Sequence, residues 1–345
     1  MHLIPEPEAF VVEEIPAYDA CGEGEHLHVQ VRKRDCTTAR LIDALAAACG
    51  VPQRDIGYAG RKDRHGITTQ ALTIRGGRAE DLAQLQQHLP PGATAEILAS
   101  SRHRNKLRPG HLRGNRFRLQ IGGVENAQGL QDSLQILAGR GILNIYGPQR
   151  YGRDGRNRSR AQAVADGSLT LPRNRQQRQY LADAAQAAVF DYIAHARQNQ
   201  GLGSQAMAGD VIMLENGACF IAQADELDEV NQRLAAGVCS CTAPLPGSQC
   251  MQAALSAQTQ EEQWSREAGF AWDLFIDGGP FVSRGDRRRL FERFLEAPQL
   301  IAAQHAEEPH VLSFALGAGA YATSVLEQLG ISVDSRGASQ QPGPG

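Results

Sequence analysis

Polar and apolar residues alternate early in the chain: Leu27, Val29 and Val31 are separated by His28 and Gln30, a period of two that predicts a half-buried strand over 25–32. The period then changes. Leu41, Ile42, Leu45 and Ala48 fall at helical spacing, so a helix is predicted over 39–49, capped by Thr37 or Thr38 and stopped by Gly50. Residues 68–74 are mostly β-branched or apolar and read as a strand, as do 8–15, 95–98 and 114–121, while 79–88 reads as helix. In 114–121, Asn115, Phe117 and Leu119 share one face, with Arg116, Arg118 and Gln120 on the other. Later, 180–197 reads as an Ala-rich amphipathic helix, and 211–214 and 218–222 as strands about Asn216-Gly217. A basic helix over 287–295 and a strand over 311–316 follow.

The length of 345 residues suggests two domains, each able to bury a core. No run approaches the roughly 20 apolar residues of a membrane span, and the first residues do not form a signal peptide, which makes the cytoplasm the expected location. Seven scattered cysteines form neither a disulfide framework nor paired zinc spacing. Cys239, Cys241 and Cys250 are the one metal pattern to set against free thiols.

Net charge is only −3, but its distribution is uneven. No acidic residue lies between Glu96 and Glu125, where Arg102, Arg104, Lys106, Arg108, Arg113, Arg116 and Arg118 cluster. This is either a solvated basic face or the footprint of a phosphate backbone. Arginines recur at 153, 156, 158, 160, 173, 175 and 178, and again at 284, 287, 288 and 289, where the same two readings apply.

Candidate chemistry centres on the glycine-punctuated loop 57–70, which places Asp63 among Arg61, Lys62 and Arg64. Nearby cations favour the ionised carboxylate, so Asp63 is expected to be an anion at neutral pH, available as nucleophile or base. A mixed-charge hairpin tip is the structural alternative. Asn115 and Phe117 can hold a nucleobase by edge and face, or can be a strand-end amide beside a core aromatic. Phe10 has the same two readings.

Three separated stretches together resemble one family. Gly60-Arg61-Lys62-Asp63-Arg64-His65-Gly66-Ile67-Thr68-Thr69-Gln70 resembles the G-x-K-D-x-x-A-x-T-x-Q signature of the tRNA pseudouridine synthase D (TruD) family. Gly114-Asn115-Arg116-Phe117 is similar to its G-N-x-F strand, and residues 144–152 to its N-Y-x-G-x-Q-R-F-G loop. Residues 7–13 and 320–325 resemble its two ends, so the likeness runs from about residue 5 to about 330 in the family's order. Gly66 replaces an alanine of the pattern, Tyr151 a phenylalanine and Ala9 an aspartate, and Ile4 stands where a basic residue is common.

The resemblance implies an α+β pseudouridine synthase fold with a mainly antiparallel mixed sheet. The catalytic domain would comprise 1–152 and 304–345, interrupted by an inserted TRUD domain over 153–303. It implies isomerisation of a tRNA uridine to pseudouridine, with uridine-13 of glutamate tRNA as the expected target. Asp63 would be catalytic, and Phe10, Lys62, Asn115, Phe117, Gln149 and Arg150 would contact substrate. No cofactor, metal or redox group is expected, tRNA is the expected partner, no membrane is involved, and nothing requires more than a monomer. A non-catalytic RNA-binding or RNA-chaperone protein also accounts for the basic bands but gives no reason for a carboxylate within them. A metal-dependent hydrolase would need more carboxylates or histidines around an ion than Asp63 and His65 provide. The tail over 335–345 reads as disordered.

Overall fold

The structure is a computed structural model that describes residues 1–152, 155–303, 305 and 308–333, with the backbone alone for Pro148 and Gln149. Arg153, the Gln149 side chain and the tail 335–345 lie outside the described residues. The chain runs β1 (His2–Leu3), β2 (Phe10–Pro16), β3 (His26–Arg34), α1 (Thr38–Cys49), β4 (Ile56–Tyr58), β5 (Ile67–Arg75), β6 (Thr94–His103), β7 (Leu112–Gly122) and α2 (Ala127–Arg140). It continues through β8 (Ile142–Leu143), α3 (Arg156–Ala165), α4 (Arg175–Asn199), β9 (Val211–Leu214), β10 (Cys219–Ile221), α5 (Leu227–Ala236), β11 (Cys239–Leu245) and α6 (Leu255–Glu267). Then follow β12 (Asp286–Arg289), β13 (Phe291–Glu292), β14 (Phe294–Ile301), β15 (His310–Gly317) and α7 (Ala322–Gln328). Among the described residues no helix is long and apolar enough to cross a membrane.

Two units result, the first from residues 1–138, 294–322 and 329–333, the second from 139–293 and 323–328. The first is built on a nine-stranded sheet ordered β14-β15-β7-β2-β5-β3-β6, with β1 added to β7 and β4 to β5. Within this sheet β2 and β5 pair in parallel and the other strand pairings are antiparallel, giving the mainly antiparallel mixed sheet of an α+β fold.

Side-chain alternation decides which face is covered. Leu27, Val29 and Val31 of β3 and Leu72 and Ile74 of β5 point into one apolar cluster with Leu41 and Leu45 of α1. The Thr37 hydroxyl accepts the Arg40 N–H at 3.2 Å, and Gly50 closes the helix in the left-handed region. The stretch 79–88 is a 3₁₀ helix rather than an α-helix. Its buried leucines, Leu82 and Leu85, are three apart, the repeat of a 3₁₀ turn.

The basic band at 102–118 is less uncompensated than its sequence implies. Distant carboxylates reach it, with Arg104 pairing with Glu23 and Arg116 with Glu13 and Glu296. Arg108, Arg113 and Arg118 are exposed.

The second unit surrounds α4, whose residues 184–190 are all buried. It contains a four-stranded sheet ordered β10-β9-β11-β12 and the short pair β8 and β13. Two buried ion pairs hold it. Arg197 grips Asp210 through two bonds of 2.8 Å, and Arg287 meets Glu261 at 2.6 and 2.9 Å.

The expected basic helix over 287–295 is instead strand, because β12 pairs with β11 from Thr242↔Arg289 to Leu245↔Asp286. This corrects the RNA-facing reading of its arginines. Arg287 is 5 % exposed, Arg288 donates to the Asn144 carbonyl, and Arg289 donates to Leu214. Arg156, Arg158, Arg160, Arg173, Arg175, Arg178 and Arg284 are exposed.

Removing one partner of a buried pair leaves an uncompensated charge, so Arg287→Met should lower stability by roughly 3–5 kcal/mol in denaturant melts. Arg287→Met combined with Glu261→Leu should recover most of that loss. Equal stability of wild type and the single variant would show that Arg287 is solvated.

Candidate active site

One row of register partners crosses five adjacent strands of the first unit: Lys33, Thr68, Val12, Phe117 and Phe314. Directly paired residues project to the same face, so these side chains share it with the α1 core. Along β5 that face changes from Leu72 and Ile74 to the polar Gln70 and Thr68, and along β3 from Leu27, Val29 and Val31 to Lys33. The polar end is where loop 59–66 passes between β4 and β5.

Asp63 lies in that loop, and its backbone carbonyl accepts the Lys33 ammonium at 2.7 Å. Lys33 is 1 % exposed, also donates to the Cys36 carbonyl, and is lowered to about 8 by burial. Burial likewise pushes the Asp63 carboxyl above its ordinary value, while Lys33, Lys62 and His65 pull it down. The net direction is upward, so burial outweighs the surrounding cations. Arg61 is exposed, and the cation held against the loop is Lys33, 30 residues upstream.

A buried network underlies the loop. Lys62 Nζ donates to Glu14 Oε2 at 2.6 Å, and the Ala71 N–H donates to Glu14 Oε1 at 3.1 Å. The Lys62 N–H donates to Thr38 Oγ1, whose hydroxyl donates to Gln70 Oε1, both at 2.9 Å. Lys62, expected to contact substrate, thus has its ammonium engaged by Glu14, where both side chains are nearly inaccessible.

Four buried polar atoms of this region have no hydrogen-bond partner among the described residues: Asp63 Oδ1, Thr68 Oγ1, Gln70 Nε2 and Asn115 Oδ1. Each such vacancy costs on the order of 1–3 kcal/mol. Asn115 of β7 is the register partner of Glu14 of β2, two residues from Phe117 and on the same face. Phe117 is 7 % exposed and stacks on Phe314 at 5.3 Å, with Phe294 edge-on to Phe314 at 5.8 Å. Most of the expected stacking platform is therefore core, with Phe314 behind it.

Phe10 is half-buried on β2. Gly66 has φ of +111°, and a Cβ there would lie 2.5 Å from the Phe10 carbonyl, so the alanine of the family pattern would displace that strand. At Gly114 a Cβ would lie 1.9 Å from the Leu316 carbonyl, so glycine lets β15 approach β7.

Arg150 belongs to the second unit, in a 3₁₀ turn over 148–151. Its guanidinium lies 5.2 Å from the Tyr146 ring centre and 3.6 Å from Asp183, and its Nε is buried without a partner. Asn144 is buried, donating to the Arg289 carbonyl and accepting from Arg288. Asp191 of α4 accepts the Tyr146 N–H at 2.8 Å and the Tyr151 hydroxyl. Burial pushes its carboxyl up to about 7 despite those bonds and the nearby Arg288 and Arg158. Among the described residues no group of three or more His, Cys, Asp or Glu side chains is placed to hold a metal ion.

An acid whose pKa is raised on folding contributes stability that is present at low pH and lost as pH rises through the folded value. For Asp191 the loss falls between about 4, the ordinary value, and about 7. Asp191→Asn should therefore raise the melting temperature at pH 8 by several degrees and change it little at about pH 4. The same difference at pH 8 and at about pH 4 would refute the titration.

The comparisons with known proteins agree on one family. The family model described as tRNA pseudouridine synthase D (TruD) matches residues 1–170 and 156–329. A tRNA pseudouridine synthase D of Aeromonas hydrophila subsp. hydrophila is 37% identical over 322 residues, covering 93% of this chain and 88% of the relative. One from Aeromonas salmonicida is 36% identical over 326 residues, covering 94% and 89%. A crystal structure from Methanosarcina mazei, provisionally named TruD, shares the fold with a TM-score of 0.75 at 22% identity, covering 95% of this chain and 93% of its own. With the family matched over nearly its whole length, the chain belongs to the tRNA pseudouridine synthase D (TruD) family.

Proposed function

We propose that this chain converts uridine-13 of a tRNA, glutamate tRNA foremost, to pseudouridine with Asp63 as the catalytic carboxylate. Family membership makes it an isomerase, a tRNA pseudouridine synthase. The observation that carries the residue assignment is the buried Asp63 Oδ1 without a partner. Glu14, the other carboxylate beside the loop, has both oxygens occupied by Lys62 and the Ala71 N–H.

The reaction breaks the bond from N1 to C1′ and forms one from C5 to C1′. C5 loses a proton, N1 gains one, and nothing is oxidised or reduced, so the proposal requires no cofactor. Attack of Asp63 at C6, its attack at C1′, or its promotion of a glycal all use the ionised carboxylate. Asn115 offers an unpartnered acceptor for the N3–H of uracil, and Phe10 and the rim of the Phe117–Phe314 stack offer apolar surface to the ring. Lys62 acts through Glu14, fixing the loop that presents Asp63. Gln149 and Arg150 meet the RNA from the second unit, together with its exposed arginines.

The test is release of tritium from C5-labelled uridine in tRNA. Asp63→Asn should reduce release to background while tRNA affinity stays within about threefold of wild type. Retained turnover would remove Asp63 from the chemistry, and loss of binding by a folded variant would give it a structural role.

A second expectation follows from the raised carboxyl. The single-turnover rate should climb with pH through an inflection above the ordinary aspartate value of about 4. Lys33→Met, which removes a cation that lowers the Asp63 carboxyl, should move that inflection upward. An unmoved inflection in a cooperatively folded variant would separate Lys33 from the ionisation of Asp63.

A further inference from the structure

We infer that Asp191 is a positioning residue, tying both ends of segment 146–151 to one carboxylate and so setting that segment for contact with RNA. The inference rests on the functional reading above, in which Gln149 and Arg150 meet the substrate.

Tyr146 and Tyr151 bracket the segment, and each gives a hydrogen to a different oxygen of Asp191: the Tyr146 N–H to Oδ1 at 2.8 Å and the Tyr151 hydroxyl to Oδ2. A phenylalanine at 151, as in the family pattern, would leave Oδ2 without this donor, so the second tie comes with the tyrosine of this chain. Asp183, also on α4, lies 3.6 Å from Arg150. One helix thus holds the segment by its ends and by the arginine within it.

The opposite support comes from β12. Arg288 lies 4.3 Å from the Tyr146 ring centre and 5.3 Å from that of Phe190, and it donates to the Asn144 carbonyl and amide oxygens. Asp191 also borders a cavity of about 530 Å³ with Tyr146, Tyr151, Arg158 and His195 in its wall. Truncating Asp191 therefore enlarges an existing space and releases the two ties without forcing a new packing arrangement.

Losing two hydrogen bonds frees the segment to sample other conformations before RNA arrives. The consequence falls on binding, since Asp191 touches no reacting atom in the proposed chemistry.

The experiment compares wild type with Asp191→Ala, Asp191→Asn and Tyr151→Phe as full chains. It measures tRNA affinity by filter binding in an Asp63→Asn background and single-turnover rate at saturating tRNA in the active background. Asp191→Ala should weaken affinity about tenfold or more and leave the saturating rate within about threefold. Asp191→Asn, whose carboxamide oxygen still accepts the Tyr146 N–H, should recover most of the affinity, and Tyr151→Phe should cost about threefold.

Wild-type affinity in Asp191→Ala, or a loss of rate at unchanged affinity, overturns the positioning role while leaving the function standing. Failure of a cooperatively folded Asp191→Asn to restore affinity overturns it too. A wild-type protein that binds no tRNA overturns the functional reading and this inference with it.

Discussion

The buried contact between Glu14 and Lys62 fixes the geometry of the first unit's polar corner. Glu14 stands on β2, in the middle of the sheet, and binds the loop through the Lys62 ammonium and β5 through the Ala71 N–H. Burying two charges is costly unless each is met by good partners, and here the partners come from separate segments. The pair therefore forms only when β2, β5 and the loop are in register together. The amide of Lys62 repeats the dependence, because Thr38 and Gln70 can complete their chain of hydrogen bonds only with the loop in place. Asp63 is the next residue along, so its position is inherited from a network in which its own carboxylate takes no part.

Much of the fold was legible because apolar alternation and helical spacing report directly on burial. The strand at β3, the helix at α1, the hairpin of β9 and β10 and the strand at β15 all follow from such spacing. The arginine run at 287–289 was misread because local charge density resembles a solvated helix face, whereas its partner Glu261 and the pairing strand β11 lie far away in sequence. The acid-free band at 102–118 misled for the same reason, its carboxylates being supplied by Glu13, Glu23 and Glu296. The second unit begins at Gly139, just ahead of β8, which pairs with β13. That pairing leaves no local mark in the chain.

At the site, the loop and the strand carrying Asn115 were readable from motif and parity, and the network beneath them was not singled out. A signal was nevertheless present. Glu14 follows Phe10 and Val12 on the inward phase of β2, and Lys33 follows Leu27, Val29 and Val31 on that of β3. A charged residue on the apolar phase of an alternating strand is either at a frayed end or engaged by a buried partner. The rise in the Asp63 carboxyl was hidden because desolvation depends on what folds over a group, while neighbouring cations can be counted in sequence.

The pairing of β15 with β7 has a further consequence, for the order of synthesis. A ribosome releases β7 early, yet the strand that covers its edge, and the Phe314 ring that stacks on Phe117, emerge only after residues 139–293 of the second unit have been made. In that interval β7 has β2 on one side and an open edge on the other, and an open edge is a template for pairing with other chains. Its outward face carries Arg116 and Arg118, and charge along an edge strand discourages such pairing. The same arginines that read as an RNA-binding band can thus keep the half-made sheet from associating until its last strands arrive.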